Sequence, residues 1–201
     1  YPDAIIADRT ALESKPAEDG SVFLISAKRR DTELPGLVLR PRPGPGALDS
    51  DRVFGGARLA STARAYLENL RPSRGRKDRT SRVVERGELE RRLDAMIRQQ
   101  GEAGVNRLRD DARRIAPELG YEAEADELDN LIGSLLGTRE AEMQSEIGKA
   151  RLAGHPFDPD RIRLFEGLFA ALRETMVEMR PVPPRTAEAN ATLAFFESYF
   201  S

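Results

Sequence analysis

The apolar positions change period once along the chain. Up to about residue 70 they fall in short runs broken by turn residues, and from about residue 87 they recur every three or four positions. Ser21-Val22-Phe23-Leu24-Ile25-Ser26 follows the turn pair Asp19-Gly20 and predicts a strand; Leu37-Val38-Leu39-Arg40 predicts a second. The second run ends at Pro41-Arg42-Pro43-Gly44-Pro45-Gly46, where three prolines and two glycines predict an ordered loop or a sheet edge. Gly55-Gly56 introduces a third extended run, Ala57-Arg58-Leu59-Ala60. Two helices belong to this half. One runs from Asp8 to Ser14 with Asp8 as N-cap, the other from Thr62 to Leu70 with Ser61 as N-cap and Tyr66, Leu67 and Leu70 on one face.

The second half reads as helix throughout. Leu89, Leu93, Met96 and Ile97 form one stripe, stopped by Gly101; Val105, Leu108, Ala112, Ile115 and Leu119 form the next, stopped by Gly120. Ala125, Leu128, Ile132, Leu135 and Leu136 make a third stripe closed by Gly137, and a short helix follows over 145–153. Asp158-Pro159 is a start signal for a long amphipathic run carrying Ile162, Phe165, Leu168, Phe169, Leu172 and Met176. After the break Arg180-Pro181-Val182-Pro183-Pro184, Thr186 is expected to cap a last helix. It bears Leu193, Phe196 and Phe200 on one side, with Phe195 and Tyr199 beside them. The fold class is therefore α+β: a small mixed α/β domain over 1–70, a linker over 71–86, and an all-α segment over 87–201.

The linker carries the first candidate chemistry. It holds seven basic and two acidic residues and hardly any apolar content before Val83, which predicts a solvated connection. Arg71, Arg74, Arg76, Lys77, Arg79 and Arg82 are its candidate contacts to nucleic-acid phosphates. With no aromatic residue interleaved for base stacking, weak or no nucleic-acid binding is expected.

Composition removes other classes. The net charge of −2 gives no global attraction to polyanions, and no run approaches the ~20 apolar residues of a membrane span, so no membrane partner and a cytoplasmic location are expected. Cysteine is absent, which excludes disulfides and thiolate metal sites. Arginine dominates the basic residues, a bias that suits a GC-rich bacterial coding sequence. The acidic set Glu122, Glu124, Asp126, Glu127 and Asp129 lacks accompanying histidines at ligand spacing and reads as a solvated helix face, with no metal. His155-Pro156-Phe157 holds the one histidine, but glycines do not follow it and Pro159 removes a donor where an anion would sit. It reads as a turn.

Both ends of the sequence suggest a piece of a longer protein. The chain opens at Tyr1-Pro2 inside an apolar run without a methionine, and it stops at Ser201 directly after the aromatic cluster. Those aromatics are expected to be covered by a following domain, or by a second copy in a homodimer through the terminal helix.

Three segments carry a resemblance to a known architecture. Pro2-Asp3-Ala4-Ile5-Ile6-Ala7-Asp8-Arg9-Thr10-Ala11-Leu12-Glu13 resembles the opening signature of antitoxins from abortive-infection type IV toxin–antitoxin systems. Gly20-Ser21-Val22-Phe23-Leu24 and Leu59-Ala60-Ser61-Thr62-Ala63-Arg64-Ala65-Tyr66-Leu67 resemble later parts of that domain. Ala194-Phe195-Phe196-Glu197-Ser198-Tyr199-Phe200-Ser201 resembles the approach to the autoinhibitory motif of Fic proteins, Ser/Thr-x-x-x-Glu-Gly/Asn, with Ser201 as its first residue.

Together these cover nearly the whole chain. They imply the N-terminal regulatory and scaffolding part of a protein that transfers AMP from ATP to a hydroxyl of a target protein. The family's catalytic motif, His-Pro-Phe-x-Asp/Glu-Gly-Asn-Gly-Arg-x-x-Arg, would lie after Ser201. No catalytic residue or cofactor is therefore expected within this chain, while ATP and magnesium are expected at the Fic core, its principal partner. A nucleic-acid-binding or protein-interaction module of a toxin–antitoxin-like system is the alternative.

Overall fold

Among the described residues, six short strands pair into one mixed sheet in the order β3-β4-β2-β1-β6-β5. The strands are β1 (Ile5–Ile6), β2 (Ser21–Ile25), β3 (Thr32–Leu34), β4 (Leu37–Arg42), β5 (Arg52–Phe54) and β6 (Ala57–Leu59). The helices are α1 (Asp8–Glu13), α2 (Thr62–Leu70), α3 (Arg86–Leu119), α4 (Glu122–Leu135), α5 (Glu146–Leu152) and α6 (Pro159–Glu174). The computed structural model describes residues 3–73, 79–139, 142–155, 159–176, 186, 187 and 192. The architecture is α+β, with one unit over Tyr1–Phe157 and a second over Asp158–Ser201.

Local sequence explains most of these elements. The Ser61 hydroxyl accepts a hydrogen bond from the Arg64 amide at 3.4 Å and caps α2, and the Ser145 hydroxyl accepts one from the Gly148 amide and caps α5. Gly101, at φ 67° and ψ −173°, breaks α3 into two helical pieces at the stop expected there. Gly120 and Gly137 take positive φ after α3 and α4.

The run Pro41–Gly46 divides in the fold: Pro43–Gly46 is the loop expected there, whereas Pro41 and Arg42 belong to a strand. β4 continues through Pro41 to Arg42 and lies inside the sheet, not at its edge. The proline is tolerated because β3 pairs only as far as Leu39, so at Pro41 the strand has β2 on one side and no ladder on the other.

Gly20 is required by its surroundings. It has φ 76°, and a Cβ there would stand 2.9 Å from the Gly36 carbonyl oxygen. Gly20→Ala is expected to cost about 1–3 kcal/mol, read as a lower urea midpoint. Gly46→Ala, where an added Cβ meets nothing within 4 Å, should leave that midpoint nearly unchanged.

The core does not respect the division expected at 71–86. Ala63, Tyr66 and Leu67 of α2 belong to the same buried cluster as Leu89 and Leu93 of α3 and Leu128, Leu131 and Ile132 of α4. The apolar face of α2 points at the helices, so the helix ascribed to an N-terminal domain completes the core of the all-α segment. Among the described residues, Ile5, Ala7, Ile25 and Ala60 form a small separate apolar cluster at the sheet.

The described part of the expected linker packs against α1 and α2. The Arg9 amide donates to the Arg82 carbonyl at 2.9 Å, the Val84 amide donates to Asn69 Oδ1 at 3.0 Å, and Val84 is buried. A stretch too polar to build a core of its own is fixed here by hydrogen bonds, ion pairs and the one apolar side chain, Val84, that it lends to the main core.

In the second unit, α6 carries Phe165, Leu168, Phe169 and Leu172, all exposed. The expected last helix falls almost wholly outside the described residues: Leu193, Phe195, Phe196, Tyr199, Phe200 and Ser201 are not among them. No helix among the described residues is long and apolar enough to cross a membrane.

Candidate functional site

Asp8 does not cap α1, as its sequence position suggested. Ala7 occupies the N-cap, and Asp8, at φ 53°, sends its carboxylate into the protein. Oδ1 and Oδ2 accept a bidentate pair from Arg42 at 2.7 and 3.0 Å, and Oδ2 accepts a further bond from Arg82 at 2.8 Å. The Asp8 amide donates to Glu68 Oε2 at 2.9 Å. Glu68 Oε1 in turn accepts from Arg64 Nε at 2.9 Å. Arg64 is wholly buried and donates to Asp51 and to the carbonyls of Pro45 and Gly46.

Three carboxylates and three guanidinium groups thus join sheet, α1, α2 and the segment before α3. Burial alone would lower the Arg42 pKa, but its bonds to Asp8 hold it above the usual arginine value. Burial and the neighbouring Asp8 charge push the Glu68 carboxyl up, against the pull of Arg64. A buried network in which each charge meets an opposite one fixes geometry, and Arg82 carries it to the wall of a cavity.

That cavity, of about 570 Å³, is bounded by the loop after β2, by β4 and by residues 79–82. Arg29, Arg30, Arg40, Arg79 and Arg82 line it, with Ser73, Thr80 and Ser81, against a single aspartate, Asp31. Arg40 is oriented by its Nε bond to Ser21 Oγ at 2.6 Å and donates to Asp31 Oδ2 at 2.7 Å. Arg79 donates to the same Oδ2 at 3.0 Å from the other wall. The Arg82 guanidinium stands over the Phe23 ring, 4.8 Å from its centroid, while donating to the Arg40 carbonyl at 2.9 Å.

Asp19 stands behind, 4.0 Å from Arg40. Burial would raise its pKa, but hydrogen bonds from Ser21 and Thr80 outweigh that and hold it at about 2. Asp19 is therefore a fixed negative charge that orients Arg40 at all ordinary pH.

Of the candidate nucleic-acid contacts, the fold brings Arg79 and Arg82 together in this cavity. Arg71 goes elsewhere: its guanidinium lies 4.5 Å from the Tyr121 ring centroid and 3.5 Å from Glu124. Arg74, Arg76 and Lys77 lie outside the described residues. Sequence reading missed Arg29, Arg30 and Arg40, because nothing local shows that β4 and the loop after β2 meet residues 79–82. No family model, curated protein or solved structure matches the chain.

The acidic face of α4 is not simply solvated: Asp129 is buried and pairs with Arg113 at 2.9 Å and Arg139 at 2.5 Å, and Glu127 pairs with Arg86. His155 is exposed, and its amide closes α5 on the Ala150 carbonyl at 2.8 Å; Pro156, Phe157 and Asp158 lie outside the described residues.

Proposed function

We propose that this chain is the N-terminal regulatory and scaffolding part of a Fic-type protein, one whose catalytic core transfers AMP from ATP to a hydroxyl of a target protein. The observation that carries the reading is the convergence of the three antitoxin-like segments. β1, from the first segment, pairs with β2 on one side and with β6 on the other. Asp8 of the first segment meets Glu68 next to the third, and Thr10 Oγ1 of the first accepts the Phe23 amide of the second at 3.0 Å. Segments that share a resemblance while lying far apart in sequence form one module, which favours a single inherited domain over chance matches.

In this reading the module's partner is the Fic core, ATP and magnesium belong to that core, and the protein works in the cytoplasm of a bacterium. The ordered packing of residues 79–86 gives the module a rigid connection to α3, suited to transmitting a change of state rather than to tethering.

The test is the reading frame that follows the Ser201 codon. It is expected to supply the remainder of Ser/Thr-x-x-x-Glu-Gly/Asn at once and the Fic catalytic motif further on. A stop codon there, or an unrelated domain, would overturn the assignment.

A further inference from the structure

We propose that the arginine-lined cavity beside β4 is a binding site for a compact ligand bearing a di- or triphosphate, and that Asp31 occupies the phosphate position when the ligand is absent. One carboxylate oxygen, Asp31 Oδ2, accepts from Arg40 and from Arg79 at 2.7 and 3.0 Å. These two guanidinium groups come from segments far apart in the sequence, and they converge on a single anionic oxygen. A phosphate oxygen has the same acceptor chemistry with greater charge, and arginine's planar fork suits it.

The remaining lining supports this choice. Arg29, Arg30 and Arg82 face the same space, Arg82 held there by Asp8 Oδ2 at 2.8 Å, and Ser73, Thr80 and Ser81 supply hydroxyl groups at the same wall. Asp31 is easily displaced. Its side chain is 39% exposed, and it sits in the irregular loop between β2 and β3, where ion pairs open to water are weak.

The cavity suits a small polyanion better than a nucleic-acid strand. Its volume lies in the range of small-molecule sites, and Arg40 and Arg79 converge on one oxygen there rather than spacing themselves along a strand. The one aromatic residue lining it, Phe23, is buried and covered by Arg82, so no ring face is left for base stacking.

The experiment is calorimetric titration of the purified chain with inorganic phosphate, pyrophosphate, tripolyphosphate, a nucleoside diphosphate and a single-stranded oligonucleotide. Affinity is expected to rise from phosphate to tripolyphosphate. Asp31→Asn should tighten pyrophosphate binding by about tenfold and Arg79→Gln should weaken it by about as much. Glu33→Gln removes the same charge nearby without touching the cavity and should change little; circular dichroism establishes that each variant is folded.

If the nucleoside diphosphate binds no better than pyrophosphate, the phosphates alone are recognised; a clear gain shows that the nucleoside is read as well. Either result supports a polyphosphate site. Equal effects of Asp31→Asn and Glu33→Gln would reduce the attraction to net charge and overturn the proposal. Binding of the oligonucleotide alone would overturn it in favour of a nucleic-acid surface.

Discussion

Replacing Arg64 by methionine is expected to destabilise the protein by about 3–5 kcal/mol, because two buried carboxylates lose their cation at once. Methionine keeps most of the stem volume, so the loss reads charge and hydrogen bonding rather than a cavity. Asp51 and Glu68 would both remain buried, and the Pro45 and Gly46 carbonyls would lose their donors. Arg91→Ala makes the contrast: that side chain is 54% exposed and pairs with Glu88 on the helix surface, where a change of at most about 1 kcal/mol is expected. Urea midpoints of the two variants decide between a structural network and a decorative one.

The pH dependence of the Arg64 variant has a definite sign. Burial, then the Asp8 charge, raise the folded-state pKa of Glu68 above its ordinary value of 4.5. A carboxyl with a raised folded pKa holds its proton more tightly in the native state. Its stability is complete below the unfolded pKa and is lost as pH rises through the folded pKa. Without Arg64 that pKa rises further, so the deficit of the variant against wild type should shrink as pH falls from neutrality toward 4.5. Asp19 works in the opposite direction. Its pKa is lowered to about 2, so its contribution persists above its ordinary 3.8 and is lost as pH falls through 2. The two effects therefore occupy separate pH windows. A deficit that stays constant across the upper window would show that Glu68 is not the group left unpaired.

The second large effect tests the continuity of the core. Leu67→Ala is expected to cost about 2–5 kcal/mol, since a fully buried side chain is removed from a packed cluster. The destabilisation should appear in one cooperative transition of the first unit, monitored by far-ultraviolet circular dichroism and by the fluorescence of the buried Tyr66 and Tyr121. If Leu67→Ala instead shifted only the first of two separated melting steps, the boundary expected near 71–86 would be restored.

Elements that depend on local signals were legible in the sequence. β2, β4 and β6 follow their turn residues, Ser61 caps α2 as expected, and Gly101, Gly120 and Gly137 mark the helix breaks. Elements defined only by their partners were not. β1, β3 and β5 are two or three residues long and, unlike the equally short β6 behind Gly55-Gly56, no glycine turn pair introduces them, so they have no pattern of their own until a neighbouring strand supplies the hydrogen bonds. Asp8 was misread for a related reason. N-cap statistics favour aspartate, but here two arginines distant in sequence attract its carboxylate away from the helix amides. The polarity of residues 79–86 was read correctly and its consequence was not, because bonds to Asp19 and to Asp8 of α1, together with the burial of Val84 in the main core, hold the segment in place. The candidate site was half visible: the basic run named Arg79 and Arg82, while their companions Arg29, Arg30 and Arg40 are collected only by the pairing of β4 with β2.

The position of β1 has a consequence for how the sheet is assembled. β3–β4 and β5–β6 are antiparallel pairs joined by the tight turns Pro35-Gly36 and Gly55-Gly56, so each can form early from neighbouring residues. The two halves meet only through β1, and its parallel register, Ile5 opposite Arg58, closes a loop that spans most of the sheet. Loop closure of that kind is slow and comes with little local reward. Capture of Ile5 and Ile6 is therefore expected to be the late step in assembling the sheet, and Ile5→Val should speed unfolding more than it slows refolding in stopped-flow measurements.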